Sequence, residues 1–259
     1  MSKEQISQGY RERWEERTKG WETPHLRKAM IVGANPGNIG GHITSDLQSR
    51  GFDVTPVDKS PIGGAVERFD AAFPAPGWKL SNFDTLILAN GQTHLDWIED
   101  QPEVEFFNVL RNKLYASMVC SQEFVRQTLN KPYKKHIVFI GSMAYRSVLN
   151  GSAAYCAASA GLVHFARCLA YELSCKGFVV HCVNPSNTEG TPMTEETIAG
   201  LARYRDLDRS AAEEYWAASR GLPRWLQPEE IGGIVGDLVT DPKWDMLAGS
   251  PIDLNGGNR

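Results

Sequence analysis

From Ala29 onward, short runs of β-branched and aliphatic residues alternate with longer helix-patterned stretches. Parallel neighbours in a sheet need long crossover connections, usually helices, so this alternation restricts the fold more than any other feature. Ala29-Met30-Ile31-Val32 reads as a strand entering a glycine turn, after which Ile39, Ile43 and Leu47 recur at helical spacing. Residues 52–57 and 66–69 read as the next strands, and Thr85-Leu86-Ile87-Leu88-Ala89 is a continuous apolar run suited to burial on both sheet faces. A long helix is expected over 102–129 with Pro102 in its first turn, then a strand at 136–140, a helix at 152–174 and a strand at 178–183. Residues 186–226 read as loop and helix, a last helix opens at Pro228, and residues 252–254 make the final strand. The expected class is α/β, a doubly wound parallel sheet forming one domain over residues 29–259. Ligands in that architecture bind beyond the carboxyl ends of the strands, where strand order reverses.

Residues 1–28 form a charged N-terminal extension in which Ile6, Tyr10, Trp14 and Trp21 fall at helical spacing, an amphipathic helix suited to covering the domain's own surface. The net charge of −4 over 259 residues gives no general electrostatic reason to bind nucleic acid. No stretch approaches the roughly 20 apolar residues that span a bilayer, and the N-terminus is charged where a signal peptide would be apolar. A soluble, cytoplasmic protein with no membrane or nucleic-acid partner is the expectation. Cys120, Cys156, Cys168, Cys175 and Cys182 form no CxxC pair and no metal-ligand spacing with the six histidines, so they read as small, mostly buried hydrophobes and no metal site is expected.

Gly33-Ala34-Asn35-Pro36-Gly37-Asn38-Ile39-Gly40 lies between the first strand and the first helix. Glycines there permit a sharp turn and let the backbone approach a diphosphate, which the helix N-terminus attracts through its free amides and dipole. Asp58 ends the second strand at the distance where a carboxylate accepts hydrogen bonds from an adenosine ribose. A carboxylate there repels a 2'-phosphate, which favours NAD over NADP, although Lys59 follows immediately.

From Ala29 to Gly257 the chain resembles the short-chain dehydrogenase/reductase family, with its Rossmann-like fold. The glycine turn is similar to TGxxxGxG, with Val32 in place of Thr and one more residue between the last two glycines. Phe69-Asp70-Ala71 resembles the adenine-contacting segment, and Ala89-Asn90-Gly91 the NNAG segment after the buried strand. Asn112 falls where a helix Asn holds a catalytic water, and Ile140-Gly141-Ser142 matches the strand end bearing the catalytic serine. Tyr155-Cys156-Ala157-Ala158-Ser159 matches the YxxxK helix. Val183-Asn184-Pro185, with Thr191-Pro192-Met193 beyond, resembles NPG…TPM, which implies cofactor contacts from Pro185, Thr188 and Thr191. The resemblance implies hydride transfer with a nicotinamide, Tyr155 exchanging a proton with the substrate oxygen and Ser142 orienting it.

A further departure bears on the chemistry: where the family carries lysine, this chain has Ser159. By resemblance that lysine binds the nicotinamide ribose, which a serine serves in part, and its charge favours the tyrosinate, which a serine does not. An unassisted phenol titrates near 10, so at pH 7 roughly one molecule in a thousand is phenolate, a deficit of about 4 kcal/mol for a step needing the base. No lysine lies between Lys135 and Lys176, and Arg146 and Arg167 are the nearby cations in the chain. Reduction of a carbonyl needs the neutral phenol, so the expected activity is slow and mainly reductive. Two further readings stay open: a nucleotide-binding sensor or partner subunit without turnover, and a structural fold with a degraded glycine turn.

By resemblance, residues 186–225 cover the substrate pocket, where Met193, Tyr204, Tyr215, Trp216 and Trp225 suit an apolar or aromatic carbonyl or alcohol or simply pack the covering helices, while Glu195 and Glu196 read as a solvated helix start. A homodimer or homotetramer is implied through the helices at 102–129 and 152–174. The second is rich in small residues such as Ala153, Ala154, Ala157, Ala158, Ala160 and Gly161, which would equally allow close packing within one chain.

Overall fold

Seven parallel strands form one sheet in the order β3-β2-β1-β4-β5-β6-β7. They are β1 Lys28–Val32, β2 Asp53–Asp58, β3 Glu67–Arg68, β4 Thr85–Leu88, β5 Lys135–Ile140, β6 Phe178–Pro185 and β7 Pro251–Leu254. The computed structural model describes residues 27–73, 78–218 and 224–257, together with Gln8 and Glu12. The amphipathic pattern expected in the N-terminal extension therefore lies outside the described residues, except for the exposed Gln8–Glu12 hydrogen bond.

Side chains alternate along each strand, so each inner strand feeds two cores. Met30, Val32, Leu86, Leu88, Ile137 and Phe139 pack on one face. They meet α3 (Ala116–Thr128) through Cys120 and Phe124, and α4 (Ala153–Leu173) through Leu162 and Ala166. Ala29, Ile31, Ile87, Val138 and Val183 pack on the other face. There they meet Ile43 and Leu47 of α1 (Ile39–Ser49) and Ile231 and Val235 of α7 (Pro228–Thr240). The doubly wound sheet expected from the alternation is the one observed.

Four details differ from the sequence reading. The helix expected over 102–129 is α2 (Glu103–Leu110), a π-helical turn at Arg111–Tyr115, and α3. Pro102 is its cap rather than part of the first turn. The stretch read only as loop and helix resolves into two helices, α5 (Pro192–Arg205) and α6 (Arg209–Ala217), each opened by a capping side chain, Thr191 and Asp208. Only Cys120 and Cys182 are buried, Cys168 being exposed on α4. Finally, Ala153–Lys176 is long and apolar enough to cross a membrane by length and composition. Its apolar residues Leu162, Val163, Ala166, Ala170 and Leu173 face the sheet core, which accounts for that composition.

His181 sits fully buried in β6, and burial pushes its imidazole down to about 4, outweighing the upward pull of the Asp245 carboxylate and the Leu247 backbone. Burial moves His136 of β5 in the same direction. An unfolded imidazole titrates near 6.5, so on acidification the unfolded chain takes up the proton first. The stabilisation is complete above that value and is lost as pH falls toward 4, by about 3 kcal/mol for His181. Urea unfolding at pH 7 and pH 4 should show this loss, and a His181→Leu variant should lose less over the same interval; equal losses would contradict the assignment.

Candidate active site

The glycine turn stands where β1 and β4 part. Gly33 has φ +81°, and a Cβ there would lie 2.7 Å from the Ala89 carbonyl oxygen, so only glycine lets the turn pass the end of β4. A Cβ at Gly40 would collide with the Gly33 oxygen, which fixes α1 close against the turn. Gly37, at φ +84°, faces open space: a Cβ there would meet no atom within 4 Å. The residue inserted relative to the family pattern is accommodated without loss of this geometry: Asn38 is extended and serves as the cap position of α1. Its side chain makes no capping bond and the first turn carries no acid, so the amides of Ile39 and Gly40 have no partner within the helix and favour an anion. Asn35 has a different task. Its amide donates to Ser60 O (2.9 Å) and accepts from Ile62 N (2.8 Å), tying the turn to the loop after β2.

That loop and the turn border a cavity of about 750 Å³ lined by Gly33, Asn35, Asn38, Asp58, Lys59, Asp70, Ala71 and Asn90. Asp58 accepts from Ser60 N and Asp70 from Ala72 N, each at 3.0 Å, so both carboxylates are held in place by their own loops. The uncapped helix start and the open Gly37 would accept a diphosphate, and the strand-end carboxylate would accept hydrogen bonds from a ribose, so these residues fit a dinucleotide.

A second cavity of about 780 Å³ continues from the first, sharing Asn38, Asn90, Gly91 and Glu196 with it. Ile39, Ser142, Tyr155, Pro185, Thr188 and Thr191 line it. Ser142 follows β5, where Gly141 is required: a Cβ there would collide with Asn184 Oδ1. The Ser142 hydroxyl accepts from Ala144 N at 3.2 Å. Tyr155 enters from α4, held by Phe106, Leu110 and Val109, and its hydroxyl donates to Met193 Sδ at 3.6 Å. Thr191 is occupied as the cap of α5, bonded to Thr194, and Thr188 donates to Ser186 O. Asn90 donates to Asn112 O at 2.5 Å, while its own Oδ1 is buried without a partner. Asn112 donates its side-chain amide to Gln92 Oε1 at 2.6 Å and lines the first cavity.

Several residues singled out in the sequence fall elsewhere. Ser159 is fully buried, its hydroxyl has no partner, and it lines neither cavity. Arg146 is engaged by Asp253 at 3.2 Å, and Arg167 is exposed. Of the aromatic residues proposed for the pocket, Tyr215 and Trp216 line the second cavity with Met193, whereas Tyr204 packs on Trp97 and Trp225 on the α5–α6 cluster. Glu196, expected at a solvated helix start, is exposed at the rim of both cavities. Ala154 and Ala158 pack within the chain against Val109 of α2. Among the described residues no three His, Cys, Asp or Glu side chains gather to hold a metal.

Sequence reasoning missed Lys113. It is 2% exposed and lines the second cavity, its Nζ 3.3 Å from Gly141 O and 4.9 Å from the centroid of the Tyr155 ring. Among the described residues it forms no ion pair, although removing an ammonium from water costs several kcal/mol without a counter-charge. Its field reaches Cys182, whose thiol burial pushes up to about 12 while Lys113 pulls it down. The missed signal is positional: Val109, Lys113, Ser117, Cys120 and Phe124 fall on one helical face, and the others on that face are buried core residues.

The sequence pattern of the short chain dehydrogenase family matches residues 65–201, more than half of the chain. The 3-oxoacyl-(acyl-carrier-protein) reductase FabG of Escherichia coli (strain K12) is 27% identical over 242 residues, covering 91% of this chain and 89% of that protein. The corresponding reductase of Rickettsia typhi is 30% identical over 181 residues, covering 69% and 68%. Among solved structures, an NAD+-bound xylitol dehydrogenase superposes with a TM-score of 0.80 at 20% identity, over 91% of this chain and all of that one. A candidate 2-deoxy-D-gluconate 3-dehydrogenase from Agrobacterium tumefaciens with bound NADP superposes at 0.77 and 23% identity, over 91% and 98%. Family match, fold and crevice agree: the chain belongs to the short chain dehydrogenase family.

Proposed function

We propose that this oxidoreductase reduces a small carbonyl substrate to an alcohol with NADH, and that Tyr155 and Ser142 act directly on the substrate oxygen. When bound, the dinucleotide supplies the hydride. The observation that carries this reading is the convergence of Tyr155 and Ser142 on one cavity that opens into the glycine-turn crevice. Tyr155 is oriented as a donor, its hydroxyl directed at a thioether that only accepts, and this is the form that protonates a carbonyl oxygen during reduction. Ser142 supplies a second hydroxyl to the same cavity. Asn90 and Asn112 hold the strand end and the π turn in register through the hydrogen bond between them.

Asp58 supports NAD over NADP, since a second negative charge at the ribose would face its carboxylate. Met193, Met143, Leu149 and Trp216 give the second cavity an apolar side suited to an aliphatic or aromatic substrate. The proposed assembly is a homodimer or homotetramer, supported by exposed Val104, Phe107 and Tyr115 on the α2–α3 segment and Tyr171 on α4. A cytoplasmic location accompanies this reading.

NADH oxidation with a panel of ketones and aldehydes, together with calorimetric titration of NADH, tests the proposal. Tyr155→Phe should lower turnover at least about 100-fold while leaving NADH affinity unchanged. Unchanged turnover would remove the tyrosine acid, and NADH binding with no turnover of any carbonyl would favour the reading of a nucleotide-binding sensor. Asp58→Ser should narrow the preference for NADH over NADPH by about tenfold or more, read as the ratio of the two dissociation constants; an unaltered ratio would place the discrimination elsewhere.

A further inference from the structure

We propose that Lys113, carried on the π-helical turn rather than on the tyrosine's own helix, is the cation that stabilises the tyrosinate of Tyr155. The inference rests on the proposed acid-base role of Tyr155 and extends it to the proton's departure. When Tyr155 gives its proton to the substrate oxygen, the O–H bond breaks, its electron pair stays on the phenol oxygen, and a negative charge develops in the cavity that Lys113 also lines.

Three observations carry the assignment. The Nζ lies 4.9 Å from the Tyr155 ring centroid and lines the same cavity. It is held there by the Gly141 carbonyl, 3.3 Å away and one residue before Ser142. It is almost wholly buried, yet no carboxylate pairs with it among the described residues. A buried ammonium in that state favours any neighbouring group able to become an anion, and few such groups face it. From β6, Cys182 has its thiol pushed far above the neutral range by burial. On β7, Asp253 is engaged by Tyr145, Arg146 and Asn184. Glu196 of α5 is exposed at the cavity rim. Around Tyr155 itself, Phe106, Leu110 and Met193 are uncharged, and Cys156 follows it on α4. Tyr155 is the cavity-lining phenol over whose ring this charge sits, 4.9 Å from the centroid.

The position also explains how the chain tolerates Ser159. Serine carries no charge, so the cavity receives no cation from that position. Lys113 brings a cation into that cavity from a different element.

Phenolate absorbance, taken as the difference between each protein and its Tyr155→Phe counterpart, isolates this tyrosine during a pH titration. Lys113→Met should move its midpoint up by about one pH unit or more, and shift the alkaline limb of the pH–rate profile with it. Melting should be unchanged or raised, because a methionine of similar shape removes a buried charge; a purely structural lysine would instead lower it. The double variant Lys113→Met with Ser159→Lys should recover turnover and midpoint toward wild type. An unchanged midpoint in Lys113→Met overturns the proposal. Because the titration needs neither cofactor nor substrate, its outcome is separable from that of the turnover assays on Tyr155→Phe.

Discussion

The parallel sheet fixes where chemistry can happen, because it brings all seven strand ends to one edge while the crossovers diverge. From β1 the chain passes to α1 on one face; from β4 it passes to α2 and α3 on the other. The gap left between them is a wedge, and Gly33 sits at its apex, pressed against Ala89 and Asn90 with no room for a side chain. Everything in the proposed site is hung from that wedge: the uncapped start of α1, the carboxylate ending β2, and the Asn90 amide that reaches across to the π turn.

The π turn has a clear physical consequence. An extra residue in a helical turn releases carbonyls from the usual ladder and rotates the segment that follows. Here the Asn112 carbonyl meets Asn90, and Lys113, on the buried helical face, lies in the core. A buried ammonium is stable only if its surroundings repay the lost hydration, and the Gly141 carbonyl and the face of the Tyr155 ring do so in part. A phenolate at Tyr155 would complete the compensation. The lysine is thereby kept poised for the moment a negative charge appears.

Much of this was legible in the sequence. The run Thr85-Leu86-Ile87-Leu88 announced an inner strand because both its faces are covered, and the glycine turn announced the crevice because few other sequences can make it. Ser142 and Tyr155 stand out by resemblance and do line one cavity. The burial of Lys113 could be read from its helical face, but not its proximity to Tyr155, which lies forty-two residues away on another helix, nor the π turn that carries it, which has no strong signature in residue types. At Ser159 the loss of a charge was visible in the sequence, whereas the proposed supply of a cation from a neighbouring element depends on the packing of α4 against the π turn, where a Cβ at Gly161 would touch Leu114. The roles of Asn35 and Thr191 were likewise hidden, since a loop tie and a helix cap depend on neighbours that sequence spacing does not reveal.

A crystal structure with NADH bound is the most direct measurement. It should show the diphosphate on the Ile39 and Gly40 amides, the adenosine ribose at Asp58, and the nicotinamide beside the Tyr155 hydroxyl after Met193 has moved away from it. A dinucleotide lying outside the crevice, or Met193 still closing the cavity over Tyr155, would contradict both the proposed reaction and its geometry.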